Sequence, residues 1–131
     1  MLKIIKTSLL VVVLSLSLNV TAQTNIDLAL KNICTIVKVD DKGELRKKMK
    51  KVQSAFRLKL QDYYSGISCG GNSLIRTAFL NNAVGAGTLL IKKMPRSQLN
   101  SEESDGQTIR AWVSENGFMK SELAVVLNSR I

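Results

Sequence analysis

The chain contains no histidine, and that absence excludes much ordinary enzyme chemistry. Serine and cysteine triads of the usual kind need an imidazole to carry the proton, and imidazole metal sites need it as a ligand. No Ser-x-x-Lys pair stands in for it. Aromatic residues are scarce as well: one tryptophan, two tyrosines and three phenylalanines, with none between Lys42 and Lys51, where basic residues crowd. Single-stranded nucleic acid is held by stacking its bases on such rings, so no nucleic acid is expected as a partner. There is one proline, Pro95. After residue 22 no apolar run approaches the roughly twenty residues that a membrane-spanning helix needs.

What the chain does have begins with its first residues. Lys3 and Lys6 precede an uncharged run from Thr7 to Leu18, and Val20-Thr21-Ala22 then places small side chains where a cleavage site needs them. Residues 1–22 read as a signal peptide. The apolar run is too short to anchor the protein, and no cysteine follows it at once to carry a lipid. The mature chain, residues 23–131, is expected to fold as a single helical domain, periplasmic or secreted, with no transmembrane anchor after cleavage.

An exported protein meets an oxidising compartment, and this one has only Cys34 and Cys69. A bridge between them is the expectation. The alternative is two separate buried thiols. The charge is as localised as the sulfur. The whole chain carries a net charge of +9, and between Lys42 and Lys59 lie eight basic residues against one acid, Glu44. The rest of the mature chain is close to neutral.

Apolar residues at Ile26, Ala29, Leu30, Ile33, Ile36 and Val37 share one helical face. Asp41, with Glu44 three residues on, reads as a capping-box variant that opens a second helix. Its stripe is Leu45, Met49, Val52, Phe56, Leu60 and Tyr63, with Ser65-Gly66 as the natural stop. An unbroken helix from Lys42 to Tyr64 would be about 33 Å long, which carries Cys69 too far from Cys34. A break near Gln53-Ser54 is therefore expected, with Ala55 to Tyr64 folding back as a separate helix.

Further on, Ser73 caps a helix with Leu74, Ile75, Ala78 and Phe79, which ends at Asn81-Asn82. A helix from about Val84 to Lys93 is closed by Pro95. Residues 96–107 read as a polar surface loop. The pattern then recurs 35 residues later: Gly71-Asn72-Ser73 as Gly106-Gln107-Thr108, Asn81-Asn82 as Asn116-Gly117, and a second helix with Leu89-Leu90-Ile91 as one with Leu123 to Leu127. Paired helices at such a period point to a helical repeat.

Two resemblances rest on these residues. Asp105-Gly106-Gln107-Thr108, Trp112 and Glu115-Asn116-Gly117 resemble the turn, first helix and inter-helix glycine of an ankyrin repeat. Gly71 to Asn82 is a weaker copy, and both lack that repeat's proline and histidine. The chain from about Ile33 to Leu127 is similar to a bacterial family of small exported proteins of unknown function, through Ile33-Cys34, Asp40-Asp41, Leu58 to Cys69, Gly71 to Arg76 and Asn81-Asn82. That resemblance implies no activity and supplies no catalytic residue.

The fold expected is all-α: short helical hairpins stacked in an ankyrin-like arrangement and held by one disulfide. Asp40-Asp41 and the cluster Glu102, Glu103 and Asp105 lack the alternating spacing of a calcium loop and flank turns, so capping and solvation explain them. Gly70-Gly71-Asn72-Ser73 reads as a turn rather than an anion cradle, and Gly85 and Gly87 as a helix junction. Trp112 falls on an apolar face and reads as core. No metal, cofactor or catalytic residue is expected.

One feature has functional leverage. Lys42, Arg46, Lys47, Lys48, Lys50 and Lys51 cover the circumference outside the Leu45, Met49 and Val52 stripe, and their field attracts polyanions. The bland reading is a solvated helix face. Two functions are weighed: a non-catalytic interaction module with an envelope protein as its unknown partner, and an electrostatic binder of anionic lipid or polysaccharide through residues 42–51.

Overall fold

The computed structural model describes residues 25–131, and the expected signal peptide, residues 1–22, lies outside them. Two compact units are distinguished. In the first, residues 25–29 are helical, and the Leu30 N–H donates to the Ile26 carbonyl at 3.0 Å. The second is Asn32–Ile131. The expected single helix from Ile26 to Val37 is interrupted. Asn32 takes φ 66°, a left-handed conformation that asparagine tolerates because its short polar side chain bonds locally. A new helix, α1, then covers Ile33–Lys38 and buries Ile33 and Val37.

All regular structure among the described residues is helical, with isolated bridges at Cys69–Asn72 and Glu102–Thr108 and no strand. Asp41 caps α2, Lys42–Phe56, by accepting from the Glu44 N–H at 3.1 Å. Leu45, Met49 and Val52 are the side of α2 that is buried. Each such side chain stabilises the fold by about 1.5–3 kcal/mol through lost apolar surface.

The break after the basic run is real but falls later than Gln53-Ser54. Ala55 and Phe56 continue the helix, and it ends where Arg57 turns left-handed at φ 56°, its N–H donating to Gln53 O at 2.9 Å. The segment that folds back is α3, Leu60–Tyr63, followed by a 3-10 turn at Tyr64–Gly66, rather than a helix starting at Ala55. The Asp62 carboxylate accepts from the Lys59 N–H at 2.7 Å and starts α3. With the chain so turned, Cys69 reaches Cys34 and the disulfide forms, with the α-carbons 5.6 Å apart.

The remaining helices are α4, Leu74–Leu80; α5, Val84–Lys93; α6, Arg96–Leu99; α7, Ile109–Glu115; and α8, Glu122–Arg130. The 35-residue repeat reappears as local geometry. Ser73 Oγ accepts from the Arg76 N–H, and Thr108 Oγ1 from the Ala111 N–H. Asn81 Nδ2 donates to the Thr77 carbonyl, and Asn116 Nδ2 to the Trp112 carbonyl, both at 2.8 Å. Asn82 and Gly117 both turn left-handed, at φ 49° and 77°. Five-residue bonds, Ala83 to Ala78 and Phe118 to Val113, then aim the chain into its next segment.

α5 is the hub, packing on α2, α3, α4 and α8. Its first residue follows Ala83, which has no side-chain acceptor, so the cap comes from elsewhere: Asp40 Oδ1 accepts from the Ala86 N–H at 2.7 Å. Gly87 allows the closest approach. A β-carbon there would lie 2.6 Å from Leu123 Cδ2 and 3.0 Å from Ala78 Cβ.

Candidate functional site

The site grows from the outer face of α2. Because Leu45, Met49 and Val52 turn inward, the cations between them cannot, and Lys42, Arg46, Lys47, Lys50 and Lys51 are exposed while Lys48 is half-buried. The six residues singled out in the sequence are not brought to one spot. Arg46 and Lys50 line a cleft of about 350 Å³ between α2, α3 and α5, whereas Lys42, Lys47, Lys48 and Lys51 do not.

Two further cations reach that cleft: Lys59, just before α3, and Lys93, at the end of α5. No carboxylate lines it. Its apolar walls are Met49, Leu60 and Leu89, and Tyr63 completes it. The Tyr63 hydroxyl is shielded from solvent and has no hydrogen-bond partner among the described residues. Burial, and then the charge of neighbouring Asp62, push its pKa up to about 12, so the phenol keeps its proton. Lys59 lies in the basic run, but Lys93 and Tyr63 carry no sequence signal for this place. Only the fold-back at Arg57 and the packing of α5 bring them in.

A second cleft, also about 350 Å³, opens between the Tyr64–Arg76 region and the segment after Met94. Its floor is a buried ion-pair network. Arg76 is only 5% exposed on a helix otherwise packed with apolar residues. Its Nε lies 2.6 Å from Glu103 Oε1, in an ion-pair contact not aligned as a hydrogen bond. Its Nη atoms donate to Asp105 at 2.6 and 2.9 Å and to the Gln107 carbonyl at 3.2 Å. Glu103 also accepts from Tyr64 at 2.7 Å and from Ser73 at 3.0 Å. Burial and the Glu103 charge push the Tyr64 phenol well above its usual range. The Arg76 hydrogen bond holds the Asp105 carboxyl down, at about 2.

This network corrects the reading of residues 96–107 as a solvated loop. The segment contains α6, buries Leu99, and presents Glu103 inward because a buried guanidinium needs a counter-charge. An arginine amid Leu74, Ile75, Ala78 and Phe79, with acids in the turn before the next repeat helix, was the available signal.

Three other readings of the sequence hold, those of Trp112, of Asp40-Asp41 and of Gly70-Gly71-Asn72. Trp112 is core, 5.6 Å from the Phe118 ring and 6.3 Å from Phe79, with the Arg76 guanidinium 5.3 Å over its face. Asp40 and Asp41 are caps. The Gly70-Gly71-Asn72 stretch is a turn in which the Gly71 N–H donates to Ser68 Oγ and the Asn72 N–H to the Cys69 carbonyl. No group of three or more potential metal ligands occurs among the described residues. No helix among them is long and apolar enough to cross a membrane.

These features define a small, disulfide-linked, all-helical protein with a basic cleft and, lined by other residues, a cleft over a buried arginine network. Residues 33–101 match the model of a family described as protein of unknown function (DUF3718), and the chain belongs to that family. The match runs from just before the first cysteine through α6, so it contains the disulfide, every residue lining the basic cleft and Arg76. No match to the chain is found among curated proteins or among solved structures.

Proposed function

We propose that the protein is a non-catalytic, exported module of the bacterial envelope that engages an acidic partner through the outer face of α2. The observation that carries this reading is the segregation of charge. Eight basic residues against one acid fall between Lys42 and Lys59, six of them on α2, whose inner stripe of Leu45, Met49 and Val52 is committed to the core. A field of one sign raises the local concentration of oppositely charged partners and speeds their encounter. Paired-helix units, ankyrin-like in their sequence pattern, suit a role in presenting such a surface, and the disulfide suits an oxidising compartment.

Envelope protein, anionic lipid and acidic polysaccharide all have the required charge. The test is crosslinking in the living cell, with identification of what is captured, alongside binding to heparin and to anionic vesicles. Capture of one envelope protein that survives moderate salt supports a protein partner. Binding to vesicles or heparin that vanishes with salt, and with Lys47, Lys48, Lys50 and Lys51 changed to glutamine, supports the electrostatic binder. Export is tested by fractionation of cells making the full chain.

A further inference from the structure

The cleft between α2, α3 and α5 is chemically unlike the rest of the basic surface. Surface lysines along a helix stand apart and are well hydrated. Here Arg46, Lys50, Lys59 and Lys93 come from three parts of the chain to one concavity, with no acid lining it. The nearest carboxylate in sequence, Asp62, is already bonded to the Lys59 N–H. A volume of about 350 Å³ is within the range of small-molecule sites.

Tyr63 is the second observation. A buried hydroxyl without a partner costs about 1–3 kcal/mol, and native proteins leave few of them. Phenylalanine would fill the same space without that cost. The hydroxyl is thus a donor that the described residues leave unsatisfied. Being protonated, it offers a hydrogen to an acceptor, and the surrounding cations favour an acceptor with negative charge.

We propose that this cleft binds a phosphate group carried on a small molecule or a lipid headgroup, with Arg46, Lys50, Lys59 and Lys93 neutralising it and a small shift of the Tyr63 ring uncovering its shielded hydroxyl to donate a hydrogen bond. Phosphate fits better than a simple carboxylate because its several oxygens serve several donors, and the arginine fork matches two of them. Met49, Leu60 and Leu89 offer an apolar wall to whatever the phosphate is attached to. The inference rests on the reading of α2 as the working surface, but it selects Arg46 and Lys50 and leaves Lys47 and Lys51 out.

The experiment is calorimetric titration of the full, oxidised chain with inorganic phosphate and with glycerol 3-phosphate, and co-sedimentation with phosphatidylglycerol vesicles against phosphatidylcholine ones. Tyr63→Phe should lower affinity about tenfold or more, the loss expected for a hydrogen bond to a charged group, while the melting temperature stays or rises. Lys93→Gln should weaken the same ligand, and Lys120→Gln, exposed and outside both the basic run and the cleft, should leave it within about twofold. Binding of glycerol 3-phosphate in solution assigns the site to soluble phosphates. Tyr63-dependent binding to anionic vesicles alone assigns it to headgroups. Vesicle binding that depends on Lys47 and Lys51 but not on Tyr63 or Lys93 overturns the pocket and keeps the wider surface reading. Absence of binding in every arm overturns the pocket, and with crosslinking that captures nothing it overturns both.

Discussion

Arg76 and Asp105 meet through two parallel hydrogen bonds of 2.6 and 2.9 Å although 29 residues separate them. The pair pins the turn before α7 onto α4, and so joins one helical pair to the next. Its asymmetry matters: the Arg76 side chain is 6% exposed and the Asp105 side chain 45%. The guanidinium cannot leave its charge behind, so the burden of supplying a counter-ion falls on the loop.

Acid should therefore loosen this junction. The folded state holds the Asp105 carboxyl at about 2, through the Arg76 hydrogen bond first and the Gln107 N–H second, while an unfolded aspartate titrates near ~3.9. A depressed folded-state pKa gives stability that is complete above the unfolded value and is lost as pH falls toward the folded one. Urea denaturation from pH 6 down to pH 2 should show stability falling below about pH 4. In Asp105→Asn that part of the slope should be absent.

Glu103 is the deeper partner, with a side chain 11% exposed and three groups bonded or paired to it, Arg76, Tyr64 and Ser73. Glu103→Gln keeps the shape and removes the charge. Breaking a buried pair from one side costs about 3–5 kcal/mol, and here Asp105 remains to offset part of it, so about 1–3 kcal/mol is expected. Arg76→Met combined with Glu103→Gln should cost less than the sum of the two single changes, as chemical denaturation of the four proteins would show.

The disulfide links α1 to the turn before α4 across 35 residues. Closing a loop of that size restricts the unfolded chain and stabilises the fold by roughly 3–4 kcal/mol in the chain-entropy model. Cys34→Ser with Cys69→Ser should lower the urea midpoint accordingly. An unchanged midpoint would mean that packing of α1 on α2 and α4 already fixes this corner.

The same bridge explains how far the sequence could be read. Helix positions followed from apolar spacing and caps, since Asp41, Ser73 and Thr108 are local signals with local effects. The fold-back after α2 was legible only through the cysteines, whose separation forbids a straight helix. Its place was not legible, because the residue that turns is an arginine, and nothing in a side chain so well suited to helices marks a left-handed position. The candidate site suffered in the same way. Arg46 and Lys50 stand out in the basic run, but Lys93 and Tyr63 join them only through tertiary packing. Glu103 looked like loop because its partner lies 27 positions earlier.

Arg57 tests that account. At φ 56° it occupies a conformation that costs an L residue about 1 kcal/mol and glycine little. Arg57→Gly should thus hold or raise the melting temperature, with the left-handed turn retained. A fall of several degrees would show that the Arg57 side chain contributes more than its backbone costs.

Gly87 gives the sharpest packing prediction. Adding one methyl group puts it 2.6 Å and 2.8 Å from the two Leu123 methyls and 3.0 Å from Ala78 Cβ, where neither neighbour has free space, both being buried. Overpacking of this kind costs about 1–3 kcal/mol, against a helix-propensity gain of up to about 1 kcal/mol on leaving glycine. Gly87→Ala should therefore come out net destabilising in urea. Leu123→Ala by itself opens a cavity and should cost about 2–5 kcal/mol. In the double variant the new methyl occupies part of that cavity, so its cost should fall below the sum of the two. Strict additivity would mean that α5 and α8 shift apart rather than meet at Gly87, and the close approach would then not be what holds the two helical pairs together.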